Sequence, residues 1–171
     1  MKICIVSDSH DRADALSAAV AHAQQDGAEA VIHCGDVIGT HTLRGLKPLG
    51  LPVHVIHGNN IGDTLAMARL AAAPDSVIRY HGQDVRLELA GRKIFAVHYP
   101  EYGAAMAATG DWDLVCCGHS HKAEITWLPN IKGGKTLLVN PGTVAGLSAP
   151  ATYILGDLAT MTFAIHTLRN L

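Results

Sequence analysis

Charge is scarce in this sequence. Asp, Glu, Lys and Arg make up 16% of its 171 residues, and the thirteen Lys and Arg form no basic block, so no nucleic-acid surface is expected. Aromatic residues amount to only 5%, and no insertion shapes a recognisable base or sugar pocket. No run of about 18 apolar residues occurs, so no membrane span is expected. The apolar opening Met1-Lys2-Ile3-Cys4-Ile5-Val6 is too short for a signal peptide. None of the four cysteines, Cys4, Cys34, Cys116 and Cys117, belongs to a CxxC pair. That removes zinc-ribbon and thioredoxin-like chemistry and leaves them as small apolar residues. Also missing are a G-x-S-x-G segment, a Cys/His nucleophile arrangement and a Gly-rich phosphate loop. The expectation is a cytoplasmic single domain over residues 1–171.

Apolar residues, by contrast, reach 49%. A chain of this length buries roughly 70% of the surface it exposes when unfolded, so it needs no disulfide or structural metal. Histidine is abundant, with eleven residues, and several stand where apolar runs end. Imidazole both ligates metals and titrates near neutrality, so its placement guides the search for chemistry.

Strand-like runs are expected at 2–7, 30–33 and 53–56, separated by helices over 13–25, 41–49 and 64–73. From residue 77 the rhythm changes. Strands are expected at 77–80, 85–89, 93–98, 114–117, 124–128, 136–140, 153–155 and 161–167, with one modest helix over 102–109. Ala90-Gly91 and Gly133-Gly134 read as hairpin turns. Strand–helix alternation followed by strand-rich sequence predicts an α/β (α+β) chain, a two-sheet β-sandwich flanked by helices.

Five segments share one pattern, an apolar strand that stops at a polar, metal-ligating residue type. They are Val6-Ser7-Asp8-Ser9-His10, Ile32-His33-Cys34-Gly35-Asp36, Ile56-His57-Gly58-Asn59-Asn60, Phe95-Ala96-Val97-His98 and Cys117-Gly118-His119-Ser120-His121. Ligands of open α/β sheets bind beyond the carboxyl ends of strands. Asp8, His10, Asp36, Asn59, His98, His119 and His121 are therefore expected in one place. Extended backbone would point the i,i+2 pairs Asp8/His10 and His119/His121 to the same side. A lone D-x-H or Gly-Asp is commonplace; five such segments in this order are specific. Three Asp or Asn oxygens and four imidazoles exceed the roughly four to six ligands of one ion, so two ions sharing a carboxylate fit better. Mixed nitrogen and oxygen ligation without thiolate favours Mn²⁺, Fe or Zn²⁺.

The series D-x-H, GD, GN, lone His and GH-x-H resembles the calcineurin-like metallophosphoesterase superfamily. The short form is similar to the YfcE-type phosphodiesterase branch, and Asn140-Pro141-Gly142-Thr143 is similar to that branch's N-P-G-S segment. The resemblance runs from Lys2 to about Gly142. It implies the calcineurin-like fold, a two-sheet sandwich flanked by helices. It also implies a first metal held by Asp8, His10, Asp36 and His121. A second would sit on Asp36, Asn59, His98 and His119, with Asp36 bridging. The implied cofactors are two divalent ions, Mn²⁺ foremost, with Zn, Fe, Ni or Co compatible. The implied reaction is hydrolysis of a small phosphodiester or nucleotide-like substrate by a metal-bridging hydroxide. Similar proteins often self-associate, so a homo-oligomer is compatible with the sequence.

Two departures stand out. The branch's G-N-C-D is Gly58-Asn59-Asn60-Ile61 here, and its H-G-H is His98-Tyr99-Pro100. Asn60 is expected to donate to a non-bridging phosphate oxygen, His10 to lie near the leaving group, and Tyr99, Tyr102 and His41 to line the cleft. His33 and His57 are candidates to orient ligands. His22, His54, His81 and His166 are expected to play no part. The rival reading is a non-catalytic protein-binding scaffold, as in a retromer subunit of this fold that lacks part of the ligand set.

Overall fold

Residues 1–168 are described by a computed structural model. The first half alternates β1 (Lys2–Val6), α1 (Ala13–Gln25), β2 (Ala28–His33), α2 (His41–Arg44), β3 (Val53–Val55), α3 (Thr64–Ala72) and β4 (Ile78–Tyr80). The second half runs β5 (Asp84–Leu89), β6 (Arg92–Val97), α4 (Pro100–Ala108), β7 (Leu114–Cys116), β8 (Ala123–Pro129), β9 (Lys135–Pro141), β10 (Thr152–Asp157) and β11 (Thr162–Thr167). They build a six-stranded sheet in the order β11-β10-β1-β2-β3-β4 and a five-stranded sheet in the order β5-β6-β7-β9-β8.

Strands apolar at every position are buried on both faces. On β1, Ile3 and Ile5 enter the layer between the sheets, where they join Ile94, Leu114, Leu137 and Val139. The alternate Cys4 and Val6 face the other way, onto Leu16, Ala19 and Val20 of α1. On the second sheet, Phe95, Val97 and Val115 turn outward to Ala107 of α4. The result is a sandwich with helices on both outer faces, as the sequence predicts. Within it, β1 to β4 run parallel to one another, as do β6, β7 and β9. Parallel pairing brings the carboxyl ends of these strands, and the loops that follow them, to one edge.

Local details differ from the sequence reading. The helix expected over 41–49 breaks after Arg44 and resumes as a 3₁₀ turn over Lys47–Leu49, because Gly45 and Pro48 interrupt it and Gly50 closes it at φ 71°. Helix α4 starts at Pro100 and not at residue 102: proline suits the first turn, where its missing N–H removes nothing. Asp63 caps α3, its carboxylate accepting from Ala66 N at 2.9 Å. Ala90 and Gly91 both take positive φ, 50° and 74°, as a two-residue hairpin turn requires.

Leu114 lies fully buried between the sheets. Leu114→Ala is expected to cost about 2–5 kcal/mol, read as a lower urea midpoint with an unchanged slope.

Candidate metal centre

All seven residue positions singled out in the sequence meet at the shared edge. They form a closed ring of contacts. His121 Nε2 lies 3.2 Å and His10 Nε2 3.7 Å from Asp8 Oδ1. His10 Nε2 is also 3.7 Å from Asp36 Oδ2, while the other oxygen, Oδ1, lies 3.4 Å from His98 Nε2. His98 Nε2 is 3.0 Å and His119 Nδ1 2.8 Å from Asn59 Oδ1. The backbone N–H of His119 donates to Asp8 Oδ2 at 3.0 Å and closes the circuit. Asp8, Asp36 and His98 form the buried floor; Asn59 and His119 form the exposed rim.

Second neighbours fix the imidazole tautomers. His98 Nδ1 donates to the Cys34 carbonyl at 2.8 Å and His121 Nδ1 to the Leu147 carbonyl at 3.0 Å, since a carbonyl can only accept. Each ring therefore turns an Nε2 lone pair toward an aspartate oxygen. Asp8 Oδ1 is buried and has no hydrogen-bond donor, and among the described residues no lysine or arginine pairs with Asp8 or Asp36. Buried charge persists only when it is paired or coordinates a metal. Two groups, Asp8–His10–His121 and Asp8–Asp36–His98, have ligating atoms all within 4.8 Å of one another. This ligand set, with Asp8 Oδ1 lacking a donor beside the His121 Nε2 and no lysine or arginine paired to either aspartate among the described residues, fits divalent cations.

The i,i+2 pairs reach the ring by a different route from the one expected. Asp8 and His10 sit at φ 54° and 40°, His119 and His121 at 66° and 57°, and Asp36 at 56°. These are left-handed turns, not extended backbone, and such conformations concentrate at functional sites. Asp8 N donates to Gly35 O and His10 N to Asp36 O, so the two loops hold each other in these turns. At Gly58 any Cβ would collide with Asp36 Oδ1 and lie 2.7 Å from the His98 ring, so only glycine admits both ligands.

Other assignments divide. Asn60 points its amide at Asp36 and not into the open cleft: Nδ2 donates to Oδ2 at 2.6 Å and the backbone N–H to Oδ1 at 2.9 Å. It is a positioning residue for Asp36. Tyr99 packs its ring 4.8 Å from His119 and 5.3 Å from His98, and Tyr102 stands behind it at 5.6 Å. His41 stays outside the ring, 3.7 Å from Asp11. His57 makes no hydrogen bond to any of the seven and its Nδ1 has no partner. His54 and His81 stack on each other, and His166 stacks on Tyr153.

His33 does support the ring. Its Nδ1 accepts from Gly35 N at 3.2 Å, which places its proton on Nε2 for donation to Ser9 Oγ at 2.9 Å. It thereby ties the Asp8–His10 loop to the Asp36 loop. Asn140 was quoted in the sequence only as part of a segment. Its amide donates to Gly118 O at 2.7 Å and Ser120 Oγ at 3.0 Å, and so holds the His119–His121 loop. The supporting carbonyls of Cys34 and Leu147 carry no side-chain signal that a sequence could show.

Two outcomes follow from these charges. Asp8→Asn removes an uncompensated carboxylate, so under chelation it is expected to melt no lower than the parent. Manganese at roughly 100 times its Kd should raise the parent by about 5–10 °C, and the variant by far less, in a thermal-shift assay. Burial, reinforced by His98 and opposed by Asp36, pushes His33 down to about 3, below the ordinary 6.5. With the folded value lower, the unfolded chain takes up the proton first. The stability this neutral ring contributes is therefore complete above pH 6.5 and lost as pH falls toward 3. In urea titrations under chelation, His33→Gln is expected to flatten the acid slope by up to one proton, about 1.4 kcal/mol per pH unit.

Comparison with known proteins agrees with this geometry. Residues 1–161 match the calcineurin-like phosphoesterase superfamily domain. The chain is 25% identical over 150 residues to phosphodiesterase MJ0936 of Methanocaldococcus jannaschii, spanning 85% of this chain and 86% of that protein. A solved archaeal phosphodiesterase has a TM-score of 0.86 at 24% identity, over 98% of this chain and all 100% of its own. The Escherichia coli phosphoesterase YfcE gives 0.64 at 19%, over 99% and 100% of the two chains. Vacuolar protein sorting 29 from Cryptosporidium parvum gives 0.68 at 19%, over 99% and 92%. No helix among the described residues is long and apolar enough to cross a membrane. A sandwich whose strand ends gather two buried aspartates, one asparagine and four histidines, matched over residues 1–161, places this chain in the calcineurin-like phosphoesterase superfamily.

Proposed function

We propose that the chain is a phosphodiesterase working with two divalent cations, manganese foremost. The observation that carries this reading is the split carboxylate of Asp36, one oxygen facing His10 and the other His98. Asp8, His10, Asp36 and His121 would hold one ion, and Asp36, Asn59, His98 and His119 the other. Bound there, two divalent ions supply Lewis-acid polarisation of a phosphoryl group and water of lowered pKa.

The chain's own groups do the rest. Asp8 and Asp36 keep their oxygens dry and fixed, because both are buried and Asn60 grips Asp36 twice. His98 and His121 present Nε2 lone pairs, because their Nδ1 protons are held by backbone carbonyls. His10 and His121 are the partly open imidazoles of the ring, 15% and 25% exposed, and His10 is the one assigned to the leaving group's side. Tyr99 walls the opposite side. No lysine or arginine among the described residues lines the cleft beside the ring, so little extra attraction is offered to a dianion. That favours diesters over monoesters.

The likeness of fold to a vacuolar sorting protein supports a scaffold as second reading. The complete ring argues for catalysis. With Mn²⁺ the purified chain is expected to hydrolyse bis(p-nitrophenyl) phosphate, and a chelator to abolish turnover. Asp36→Asn should lower kcat at least about 100-fold. Turnover that survives exhaustive chelation would contradict the reading, and full activity of Asp36→Asn would contradict the bridging role.

A further inference from the structure

Beside the ring lies a cleft of about 330 Å³, lined by His57, Asn59, Ile61, Gln83, His98 and Tyr99 among others. Its size falls within the range of small-molecule sites, about 300–1,000 Å³. Asn59 and His98 belong to both the ring and the cleft wall, so the cleft opens directly beside the ring. Among the described residues no lysine, arginine, aspartate or glutamate lines it. A second phosphate or a carboxylate would find no counter-charge there. What the walls do offer is apolar surface and neutral hydrogen-bonding groups: the Ile61 side chain, which is 46% exposed, the Tyr99 ring, and the Gln83 amide.

Ile61 is the telling residue. It stands on the loop just past Asn59 and Asn60, facing the cleft from the rim of the ring. An acid at this place would repel the anionic phosphoryl group and wet the cleft, whereas isoleucine leaves it uncharged and apolar. Gly62 fixes that placement: its backbone, at φ 67°, lies directly on the Ile38 carbonyl, where no Cβ would fit. The loop that presents Ile61 is therefore clamped against the loop that presents Asp36.

We propose that this cleft is a subsite for an uncharged, flat substituent of the phosphodiester, of the aryl or nucleoside class, with Ile61 and Tyr99 as its apolar walls and Gln83 reading its polar edge. The assignment rests on the phosphodiesterase reading above. It makes the chain selective for diesters whose non-leaving substituent is such a group over those whose non-leaving substituent is small and alkyl or charged.

The experiment compares three p-nitrophenyl phosphodiesters, whose second substituent is a thymidine 5′-oxygen, a methyl group or a carboxyethyl group, on the Mn²⁺-loaded full chain. The parent is expected to show kcat/KM at least 10-fold higher for the thymidine ester than for either other ester, through KM. Ile61→Asp should bring the thymidine-to-methyl ratio close to one, Tyr99→Ala should lower it several-fold, and Ile61→Leu should retain it. Ile61 and Tyr99 are partly exposed, so these variants are expected to fold, with circular dichroism melts as the check. Hydrolysis of all three esters at similar kcat/KM, or a ratio untouched by Ile61→Asp, overturns the subsite and leaves the phosphodiesterase reading standing. No turnover of any ester overturns both.

Discussion

Two carboxylates taken out of water without a basic partner set the terms for this molecule. Asp8 is completely buried and Asp36 nearly so. Isolated, each would carry a desolvation penalty of several kcal/mol. Among the described residues that penalty is not relieved by lysine or arginine; imidazoles, an asparagine side chain and backbone N–H groups surround the acids. Asn60 and the His119 N–H satisfy three of the four carboxylate oxygens, counting Asn60's two donations to Asp36. The fourth, Asp8 Oδ1, is left without a hydrogen bond, facing the Nε2 atoms of His10 and His121. The buried charge at that oxygen thus has no hydrogen-bond donor of its own.

The sandwich makes that arrangement affordable in backbone terms. Each ligand-bearing loop follows a strand buried on both faces, so its start is fixed by packing that has nothing to do with chemistry. The loops then turn sharply through left-handed conformations at Asp8, His10, Asp36, His119 and His121. For residues with a Cβ such turns cost roughly 1–2 kcal/mol each. Hydrogen bonds between neighbouring loops, from Asp8 to Gly35, from His10 to Asp36 and from Val144 to Ser7, hold them there. Thr143 adds its hydroxyl to the Asp8 carbonyl at 2.9 Å.

Much of this was legible in the sequence, and the reasons are physical. Apolar runs buried on both faces announce themselves in composition, so β1, β2 and the layering were readable. The ligands were readable because carboxylate, amide and imidazole are the side chains a cation needs, and each stands where a strand ends. What stayed hidden was carried by backbone. The left-handed turns at His10 and His121 give no periodic signal, and the pairs were therefore read as extended. The carbonyls of Cys34 and Leu147, which set two tautomers, belong to residues whose side chains suggest nothing polar. Asn60 looked like a substrate donor because sequence shows an amide but not its direction. Sheet membership was equally opaque: β10 returns across more than a hundred residues to pair antiparallel with β1, and β11 pairs antiparallel with β10.

The ring draws on both sheets, with Asp8, Asp36 and Asn59 following strands of one and His98, His119 and His121 following strands of the other. Neither sheet alone can assemble it. An ion seated there would act as a rivet through the two halves of the sandwich, so that prying the layers apart at that edge would mean giving up coordination first. The opposite edge is joined by lighter means, Arg92 at the start of β6 donating to the Leu158 and Ala159 carbonyls that follow β10.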